Sequence, residues 1–323
     1  MHHEPEITKF VAQEMALKAG VELMLHTWTV GVVKDNGAVR GVIVENKSGR
    51  SAILSKVTVD ATGDGDLIHL SGAESVKSGD LQPMTLTFVL GGVTCWPNAT
   101  SQEIHRRIVA AVEAGQFPTQ GSAGLFPTFR EGFIYVRATR VSGDATIASE
   151  LTRAEIEGRR QAMALTAWLR ANAPGYENAW IADTADMIGV RETRRLVGVC
   201  TLTREDVLSY REFDDAIARS AYPIDVHVNG NATRWVDLAP GRSYTIPYRC
   251  LVPIQMDGLL TAGRCLSADR DALGSVRVNA VSMATGEAAG SAAAIAAKQG
   301  CRPREVDTEH LRQYLRQRGA ILE

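Results

Sequence analysis

The sequence predicts an α/β protein in which short buried strands and helices accompany a three-stranded β-meander. Turn signals at residues 35–37 and 47–49 separate three runs of alternating apolar residues. Short apolar runs at 57–59 and 259–262 have the length of buried strands. Residues 281–300 form a long Ala- and Gly-rich stretch without a breaker, which predicts a helix that approaches its neighbours closely.

Composition and charge exclude several classes of protein. The chain has 323 residues, 45 % of them apolar and 22 % charged, as in globular proteins with a sizeable core. The formal net charge is −2, so nothing electrostatic favours nucleic acid or an anionic membrane as a partner. No apolar run approaches 18 residues, so neither a membrane span nor an export signal is expected.

The cysteines indicate a reducing compartment. Five cysteines are scattered along the chain, and no two form a C-x-x-C pair. Such a set favours neither a disulfide framework nor a metal or iron–sulfur site within the chain. We therefore expect a cytoplasmic protein without a metal centre.

Local signals predict the remaining elements in chain order. Apolar spacing predicts a helix over 6–18, stopped by Gly20, and a buried strand over 21–26. The middle of the chain mixes alternating strands with helices, which is typical of an α+β segment. Its strands are predicted at 84–92 and 133–141, and helices are expected to begin at the capping pairs Thr152/Glu155 and Thr203/Asp206. Residues 307–322 predict a final amphipathic helix.

Three motifs that occur in a fixed order carry a family resemblance. They are ATGDGD at 61–66, AGR-x-x-SA at 262–268 and GSVR at 274–277. With their flanks at 59–93 and 258–300, they resemble FAD-dependent oxidoreductases of the glutathione-reductase-like superfamily. In particular, they resemble the fumarate-reductase-type and heterodisulfide-reductase-subunit-A-like flavoproteins, some of which carry iron–sulfur clusters.

Members of that superfamily begin with a Gly-x-Gly-x-x-Gly loop, and this chain has none upstream of its motifs. The resemblance therefore implies an incomplete Rossmann-like FAD-binding domain with three of the five parallel strands, at 21–26, 56–61 and 259–262. This domain would comprise residues 1–80 and 256–323, together with the meander. Residues 81–255 would form an inserted α+β substrate domain.

The resemblance also implies which residues contact FAD. Val30, near the exit of the strand at 21–26, would approach adenine, although it can equally be an ordinary strand residue. Thr62, Gly63 and Asp64 would lie against the adenosine and pyrophosphate; a plain glycine turn is the alternative. Small residues suit such a turn because the backbone must pass close to the nucleotide.

A second set of residues would contact the rest of the flavin. Gly263 and Arg264 match the turn after the last strand, where relatives place Asp on the ribityl chain; Arg264 replaces that Asp. The residues expected in the loop around the isoalloxazine are Ser267, Gly274, Ser275, Arg277 and Val278. The positive end of the following helix would face the flavin N1–C2=O edge, and Gly286 and Gly290 would permit close packing. Without flavin, that helix would be a packing element only.

Candidate substrate residues lie between the cofactor motifs. Arg191, Arg194 and Arg195 bring three guanidiniums together, which suits an acidic substrate. They could equally form a structural ion-pair network with Glu192. His227 is a candidate acid or base, although a lone histidine is often structural. Tyr248 and Arg249 are expected to face the flavin.

These residues lead to one principal hypothesis and two alternatives. The principal hypothesis is an FAD-dependent oxidoreductase that transfers a hydride between a small, acidic substrate and flavin N5. A partner chain would supply the missing FAD-binding half or accept electrons. The first alternative is an N-terminally truncated, inactive fragment, and the second is a non-catalytic binding or assembly subunit that has lost the cofactor.

Overall fold

The structure is a computed structural model that describes residues 4–94, 99–116, 124–228 and 233–323, with backbone only at 99–102. Its α-helices are α1 (Pro5–Lys18), α2 (Asp66–Ser71), α3 (Ala99–Glu113), α4 (Ala148–Asn172), α5 (Arg204–Leu208), α6 (Arg270–Val276), α7 (Asn279–Gln299) and α8 (Thr308–Gln317). Its strands are β1 (Trp28–Asp35), β2 (Ala38–Asn46), β3 (Gly49–Leu54), β4 (Thr58–Asp60), β5 (Ser75–Val76), β6 (Phe88–Gly91), β7 (Gly124–Pro127), β8 (Ile134–Arg137), β9 (Trp180–Thr184), β10 (Arg195–Leu196), β11 (Ala216–Ser220), β12 (Ile224–His227), β13 (Thr233–Val236), β14 (Tyr244–Pro247) and β15 (Leu259–Thr261). Short 3-10 helices span Tyr248–Leu251, Gly263–Cys265 and Pro303–Glu305. The mixed α/β class is confirmed.

The chain divides into two compact units. The α4 unit comprises Met1–Leu25, Gln82–Val190 and Val228–Ala232. The meander unit comprises His26–Leu81, Arg191–His227 and Thr233–Glu323. Residues 191–227 and 233–255, which the sequence-based boundaries assign to the substrate domain, thus lie in the same unit as residues 256–323.

The predicted meander is confirmed as the antiparallel sheet β1-β2-β3. Asn36 and Gly37 join β1 to β2, and both have positive φ, at 47° and 76°. Two consecutive residues with positive φ suit a two-residue hairpin, because the turn then twists with its strands. A register shift between Thr29 and Gly31 leaves Val30 at a bulge in β1. Val30 is therefore a half-exposed meander residue and does not lie at the exit of a parallel strand.

Two of the three predicted parallel strands pair with each other. β4 and β15 form a parallel two-stranded sheet, with Thr58 opposite Leu259 and Asp60 opposite Thr261. The third prediction, a buried strand at 21–26, is wrong. The structure assigns no strand to residues 21–26, and Leu25 is 70 % exposed. Apolar composition alone does not make a strand, because a strand also needs the regular ladder of a sheet.

The predicted N-terminal helix is confirmed as α1, which ends at Lys18 two residues before Gly20. None of its residues is buried, although several apolar residues follow helical spacing. Phe10 and Met15 are 60 % and 68 % exposed. The apolar spacing thus predicted the helix correctly, whereas the described residues provide no core for it.

The core of the α4 unit lies between one sheet and two helices. The sheet has the order β7-β8-β6-β9, and its buried face contains Phe88 and Val136. Leu165 and Leu169 of α4 and Ile108 of α3 belong to the same cluster. This burial stabilises the unit by about 2 kcal/mol for each large aliphatic side chain.

Only one of the two capping predictions is correct. The backbone N–H of Asp206 donates to Thr203 Oγ1, and that of Thr203 donates to Asp206 Oδ2, so α5 begins with a complete capping box. Helix α4 instead begins at Ala148, and Thr152 donates its hydroxyl to the carbonyl of Ala148 inside the helix. The helix thus begins before the capping signal at Thr152 and Glu155.

A prediction about the turn before β15 follows from Gly258, whose φ is +69°. A Cβ at Gly258 would lie 2.3 Å from the carbonyl oxygen of Val39, whereas a Cβ at Gly241, with φ +75°, would meet nothing within 4 Å. Both Gly→Ala substitutions should lower the free energy of unfolding by about 1 kcal/mol, because alanine is strained in the left-handed region. Gly258→Ala should lower it by about 2 kcal/mol more, because of the clash with Val39. Urea unfolding of the two variants measures the difference, and equal losses would contradict it.

Candidate cofactor and substrate site

A buried carboxylate organises the ATGDGD turn that follows β4. Asp60 is fully buried. Its Oδ1 accepts hydrogen bonds from the backbone N–H and the hydroxyl of Thr62, at 3.0 and 2.7 Å. Its Oδ2 accepts from the backbone N–H groups of Leu67 and Ile68, at 2.9 and 3.0 Å. One side chain thus closes the turn and caps α2. Sequence reasoning assigned it no role, although an acid directly after a buried strand was the available signal.

The structure brings the first two cofactor motifs together around Asp64. Arg264 Nη1 donates to Asp64 Oδ1 at 3.1 Å. The guanidinium also covers Gly63, where a Cβ would lie 2.6 Å from Nη2. Thr193 donates its hydroxyl to the same Asp64 oxygen at 2.8 Å. The turn after β4 and the turn at Gly263 and Arg264 are therefore neighbours, as the resemblance implies.

Arg194 and Arg195 are both engaged by acidic residues. Arg194 Nη1 donates to the carbonyl of Asp64 and to Asp66 Oδ1, both at 3.1 Å. Arg195 is buried and donates to Glu192 Oε1 at 2.6 Å. Burial and the carboxylate of Asp64 raise the pKa of Asp66, and the charge of Arg194 partly offsets this. The structural ion-pair network considered for this arginine cluster is thus present at Arg195.

Two predicted site residues contact one further carboxylate, that of Asp225 on β12. His227 Nε2 lies 3.2 Å from Asp225 Oδ1, and Arg277 Nη2 lies 3.2 Å from Oδ2. Burial alone would raise the pKa of Asp225. The contact with His227 and the charges of His227, Arg277 and Arg191 outweigh this and lower the pKa. The structure therefore brings His227 and Arg277 together at Asp225.

Arg277 has an incomplete set of hydrogen bonds. Its Nη2 donates to the carbonyl of Asp225 at 2.8 Å. Its Nε is buried and has no hydrogen-bond partner among the described residues. Burial lowers the pKa of Arg277, and Asp225 opposes that effect. A buried guanidinium N–H without an acceptor is costly, so this atom is a suitable donor for a bound anion.

The residues expected in a loop around the isoalloxazine are mostly packed inside the protein. Gly274 and Ser275 belong to helix α6, so the predicted loop conformation is wrong at both. A Cβ at Gly274 would lie 2.9 Å from the carbonyl of Asp225, which explains the glycine by close packing on β12. Ser275 bonds with the hydroxyl of Tyr244 at 2.5 Å. Ser267 is fully buried and accepts from a backbone N–H at 3.1 Å.

Helix α7 begins with an open N-terminus. Its N-cap is Val278, which offers no side-chain acceptor, and Asn279 is exposed. Nothing among the described residues lies within 4 Å of a Cβ placed at Gly286 or Gly290. The prediction that these glycines permit close packing is therefore wrong for this part of the chain.

Tyr248 and Arg249 line a cavity that the other candidate substrate residues do not line. Tyr248 is buried, donates its hydroxyl to the carbonyl of Pro303 at 2.8 Å, and has a pKa raised by burial. Arg249 forms a two-pronged ion pair with Asp215, at 2.9 and 3.1 Å. The cavity measures about 410 Å³ and is lined by Val199, Asp214, Asp215, Tyr248, Arg249, Val252, Arg304 and Thr308. Its described lining does not include Arg191, Arg194 or His227.

A match to a family model shows which protein family the chain belongs to. The model described as FAD dependent oxidoreductase matches residues 1–315, which is nearly the whole chain and includes every motif described above. The chain belongs to this family of FAD-dependent oxidoreductases. FAD is the cofactor of the family, and the family consists of enzymes. No protein of curated function matches the sequence.

Solved structures of flavoenzymes resemble this FAD-dependent oxidoreductase only distantly. The flavin-dependent brominase Bmp2 has 14 % identity and a TM-score of 0.45, covering 95 % of this chain and 58 % of the brominase. A geranylgeranyl bacteriochlorophyll reductase-like protein from Thermoplasma acidophilum has 14 % identity and a TM-score of 0.46, covering 96 % and 57 %. The p-nitrophenol 4-monooxygenase PnpA from Pseudomonas putida DLL-E4 has 11 % identity and a TM-score of 0.45, covering 97 % and 58 %. The chain thus spans less than two thirds of each of these structures.

The described residues contain neither a helix suited to cross a membrane nor a cluster of metal-binding side chains. None of the helices in residues 4–94, 99–116, 124–228 and 233–323 has both the length and the apolar character required to cross a membrane. Within the same ranges, no group of three or more His, Cys, Asp or Glu side chains is arranged to hold a metal ion.

A first prediction for the site concerns Asp60. In Asp60→Asn, one oxygen becomes an amide nitrogen, which cannot accept hydrogen bonds, so either the N–H of Thr62 or the N–H groups of Leu67 and Ile68 lose their acceptor. We expect a loss of about 3 kcal/mol in the free energy of unfolding, measured with urea. Asp35→Asn, at an exposed strand end, is the matched control and should change little. A loss below about 1 kcal/mol would contradict the role given to Asp60.

A second prediction concerns pH. The folded-state pKa of Asp225 lies below its unfolded value of about 3.9, so the carboxylate stabilises the fold above that pH. This contribution is lost as the pH falls through the folded-state pKa. Asp225→Asn should therefore be less stable than wild type by about 3 kcal/mol at pH 7, and the difference should shrink below pH 4.

Urea unfolding at both pH values tests this dependence on Asp225. Asp214→Asn, which removes an exposed carboxylate from the same unit, should show no such difference at neutral pH. A stability difference for Asp225→Asn that stayed constant on acidification would contradict the prediction.

Proposed function

We propose that this chain binds an acidic small molecule at Asp225, Arg191, His227 and Arg277 and positions it for hydride transfer to or from flavin N5. The single observation that carries the proposal is the buried Nε–H of Arg277, which has no acceptor among the described residues, at a cluster where Arg277 and His227 both contact Asp225. A substrate carboxylate would supply that acceptor.

Arg277 supports the same substrate class. Its buried Nε–H lacks an acceptor among the described residues. A carboxylate placed there would accept from Nε while Nη2 stays bound to Asp225. Recognition of planar anions by guanidinium groups is geometrically specific, because the N–H donors are fixed in one plane. Arg191 would add a second positive charge beside the same ligand.

In this proposal, His227 would move a proton at the substrate. Its Nε2 lies 3.2 Å from Asp225, and its Nδ1 lies 3.2 Å from the hydroxyl of Thr233. Contacts at both ring nitrogens orient the imidazole. A substrate hydroxyl or amine would replace the Thr233 hydroxyl at Nδ1 and give its proton to that nitrogen, while Asp225 at Nε2 would stabilise the protonated ring.

The residues of the meander unit fit the cofactor of the family. The turns at Thr62–Asp64 and at Gly263–Arg264 would hold the nucleotide and the ribityl chain. Gly263 has a positive φ of 72°, which lets the backbone approach a ligand without a Cβ in the way. The open N-terminus of α7 would face the flavin ring. When bound, FAD supplies the group that exchanges two electrons with the substrate.

The partner chain, the closer family relationship and the location in the cell are part of the same proposal. A partner chain is proposed to complete the FAD site or to accept electrons, and the exposed apolar residues of α1 and 21–25 support such a contact. The closer kinship with fumarate-reductase-type and heterodisulfide-reductase-like flavoproteins rests on the order of the three motifs. A cytoplasmic location is proposed from the scattered cysteines. The alternative is a chain that binds FAD only in the presence of its partner.

A binding experiment tests the proposed substrate class without requiring turnover. Calorimetric titration of the chain with a small dicarboxylate should show binding, and the corresponding neutral diamide should bind at least tenfold more weakly. Arg277→Lys should weaken dicarboxylate binding about tenfold or more, because the planar fork is lost. Arg50→Lys, at an exposed ion pair of the meander, is the matched control and should bind as wild type does.

The cofactor is tested separately by the visible spectrum of the chain after FAD is added and free flavin is removed. Retained flavin absorbance, bleached by the dicarboxylate under anaerobic conditions, is the expected result for the active form. Equal binding of the dicarboxylate and the diamide would contradict the acidic substrate class. Retained flavin that no acidic or neutral substrate bleaches, and that none reoxidises after chemical reduction, would contradict hydride transfer.

A further inference from the structure

The two faces of the β12–β13 hairpin have different surroundings. Successive residues of a strand point to opposite faces, and residues paired across an antiparallel ladder share a face. Val226 lies opposite Arg234. Arg234 forms an ion pair with Asp271 of α6, and Val226 Cγ2 would lie 2.9 Å from a Cβ at Gly274 of the same helix. One face of the hairpin therefore packs on α6, and the alternation places Asp225 on the other face.

The face that carries Asp225 also carries a tryptophan. Trp235 lies directly opposite Asp225 in the register, and Thr233 lies opposite His227. Side chains paired in this way have Cβ atoms about 5 Å apart. The indole of Trp235 is therefore a direct neighbour of the carboxylate that contacts both His227 and Arg277.

Contacts on two sides orient the indole. The rings of Trp235 and Tyr222 meet edge to face, with centroids 6.2 Å apart and planes at 68°. The indole Nε1 donates to Asp237 Oδ1 at 2.7 Å. Ser275 donates its hydroxyl to the carbonyl of Tyr222, which ties the two rings to the segment that leads to Arg277. A ring held in this way loses little conformational freedom when a ligand packs on it.

Trp235 keeps a large accessible surface in spite of these contacts. It is 51 % exposed, whereas Asp225 on the same face is only 9 % exposed. An accessible aromatic surface thus lies beside a buried ionic cluster. Small-molecule sites combine a few fixed polar groups with apolar and aromatic walls, and this face offers both.

We propose that Trp235 and Tyr222 form an aromatic wall of the substrate site, and that the substrate is a carboxylic acid that bears an aromatic ring. The inference rests on the acidic site proposed above and names its substrate class more closely. The carboxylate accepts from the buried Nε of Arg277, and the ring packs against the indole. Contacts between aromatic rings strengthen binding about two- to tenfold beyond the effect of the area that they bury.

Calorimetric titration with a matched pair of acids, in the presence of FAD, tests the inference. Benzoate and cyclohexanecarboxylate carry the same carboxylate on rings of similar size, but only benzoate has a planar π-face. Wild type should bind benzoate about fivefold more tightly than cyclohexanecarboxylate, or better. Trp235→Leu should abolish this preference, and Trp235→Phe should retain most of it. A residue that only stabilised the hairpin would not change the preference.

Trp28→Leu is the matched control, because Trp28 is an exposed tryptophan of the same unit that lies opposite Glu45. This variant should keep the wild-type preference for benzoate. A preference that persists in Trp235→Leu would overturn the assignment to Trp235. The comparison of the two acids on wild type decides the substrate class even where Trp235→Leu fails to fold.

The outcomes separate this inference from the function on which it rests. Equal binding of benzoate and cyclohexanecarboxylate by wild type would overturn the aromatic class and leave the acidic site standing. Binding of the small dicarboxylate without binding of benzoate would do the same. A wild-type chain that bound none of the three acids would overturn the acidic site and the aromatic class together.

Discussion

The candidate cofactor site depends on one buried charge, the carboxylate of Asp60. An ionised group in the interior is tolerated only when its lone pairs are satisfied, and here Thr62 and the first amides of α2 supply four hydrogen bonds. Asp60 therefore couples the end of β4, the turn and α2 into one rigid element. Asp64 then extends this element to Thr193 and Arg264, so polar contacts hold the two cofactor motifs together.

Carboxylates occupy a similar position in two parts of the meander unit. Asp64 collects Arg264, and Asp225 collects Arg277 and His227, although these partners come from separate stretches of the chain. In both clusters the acidic residue holds an arginine side chain in place. At Asp225 this arginine, Arg277, keeps one buried N–H that has no acceptor among the described residues.

Local rules predicted the features that depend on neighbouring residues. The hairpin at 35–37 and the capping box at Thr203 follow from the conformational preferences of a few consecutive residues. Features that require distant partners were missed or misread. The segment 21–26 has strand composition but enters no sheet of the described chain, and Gly274 serves packing on β12. The motifs located the site, but the partners of each side chain depend on the tertiary fold.

Helix α1 illustrates how an element can be regular without being stable. None of its 14 residues is buried. Its amides are therefore protected from hydrogen exchange only by the helix–coil equilibrium of the segment and by exposed ion pairs such as Lys9–Glu6. An isolated helix of this length is marginal in water. Its amides should exchange with deuterated solvent many times faster than those of α4, whose buried face ties its opening to that of a whole hydrophobic core. A ligand or protein that covers Phe10 and Met15 would reveal itself as slowed exchange confined to α1.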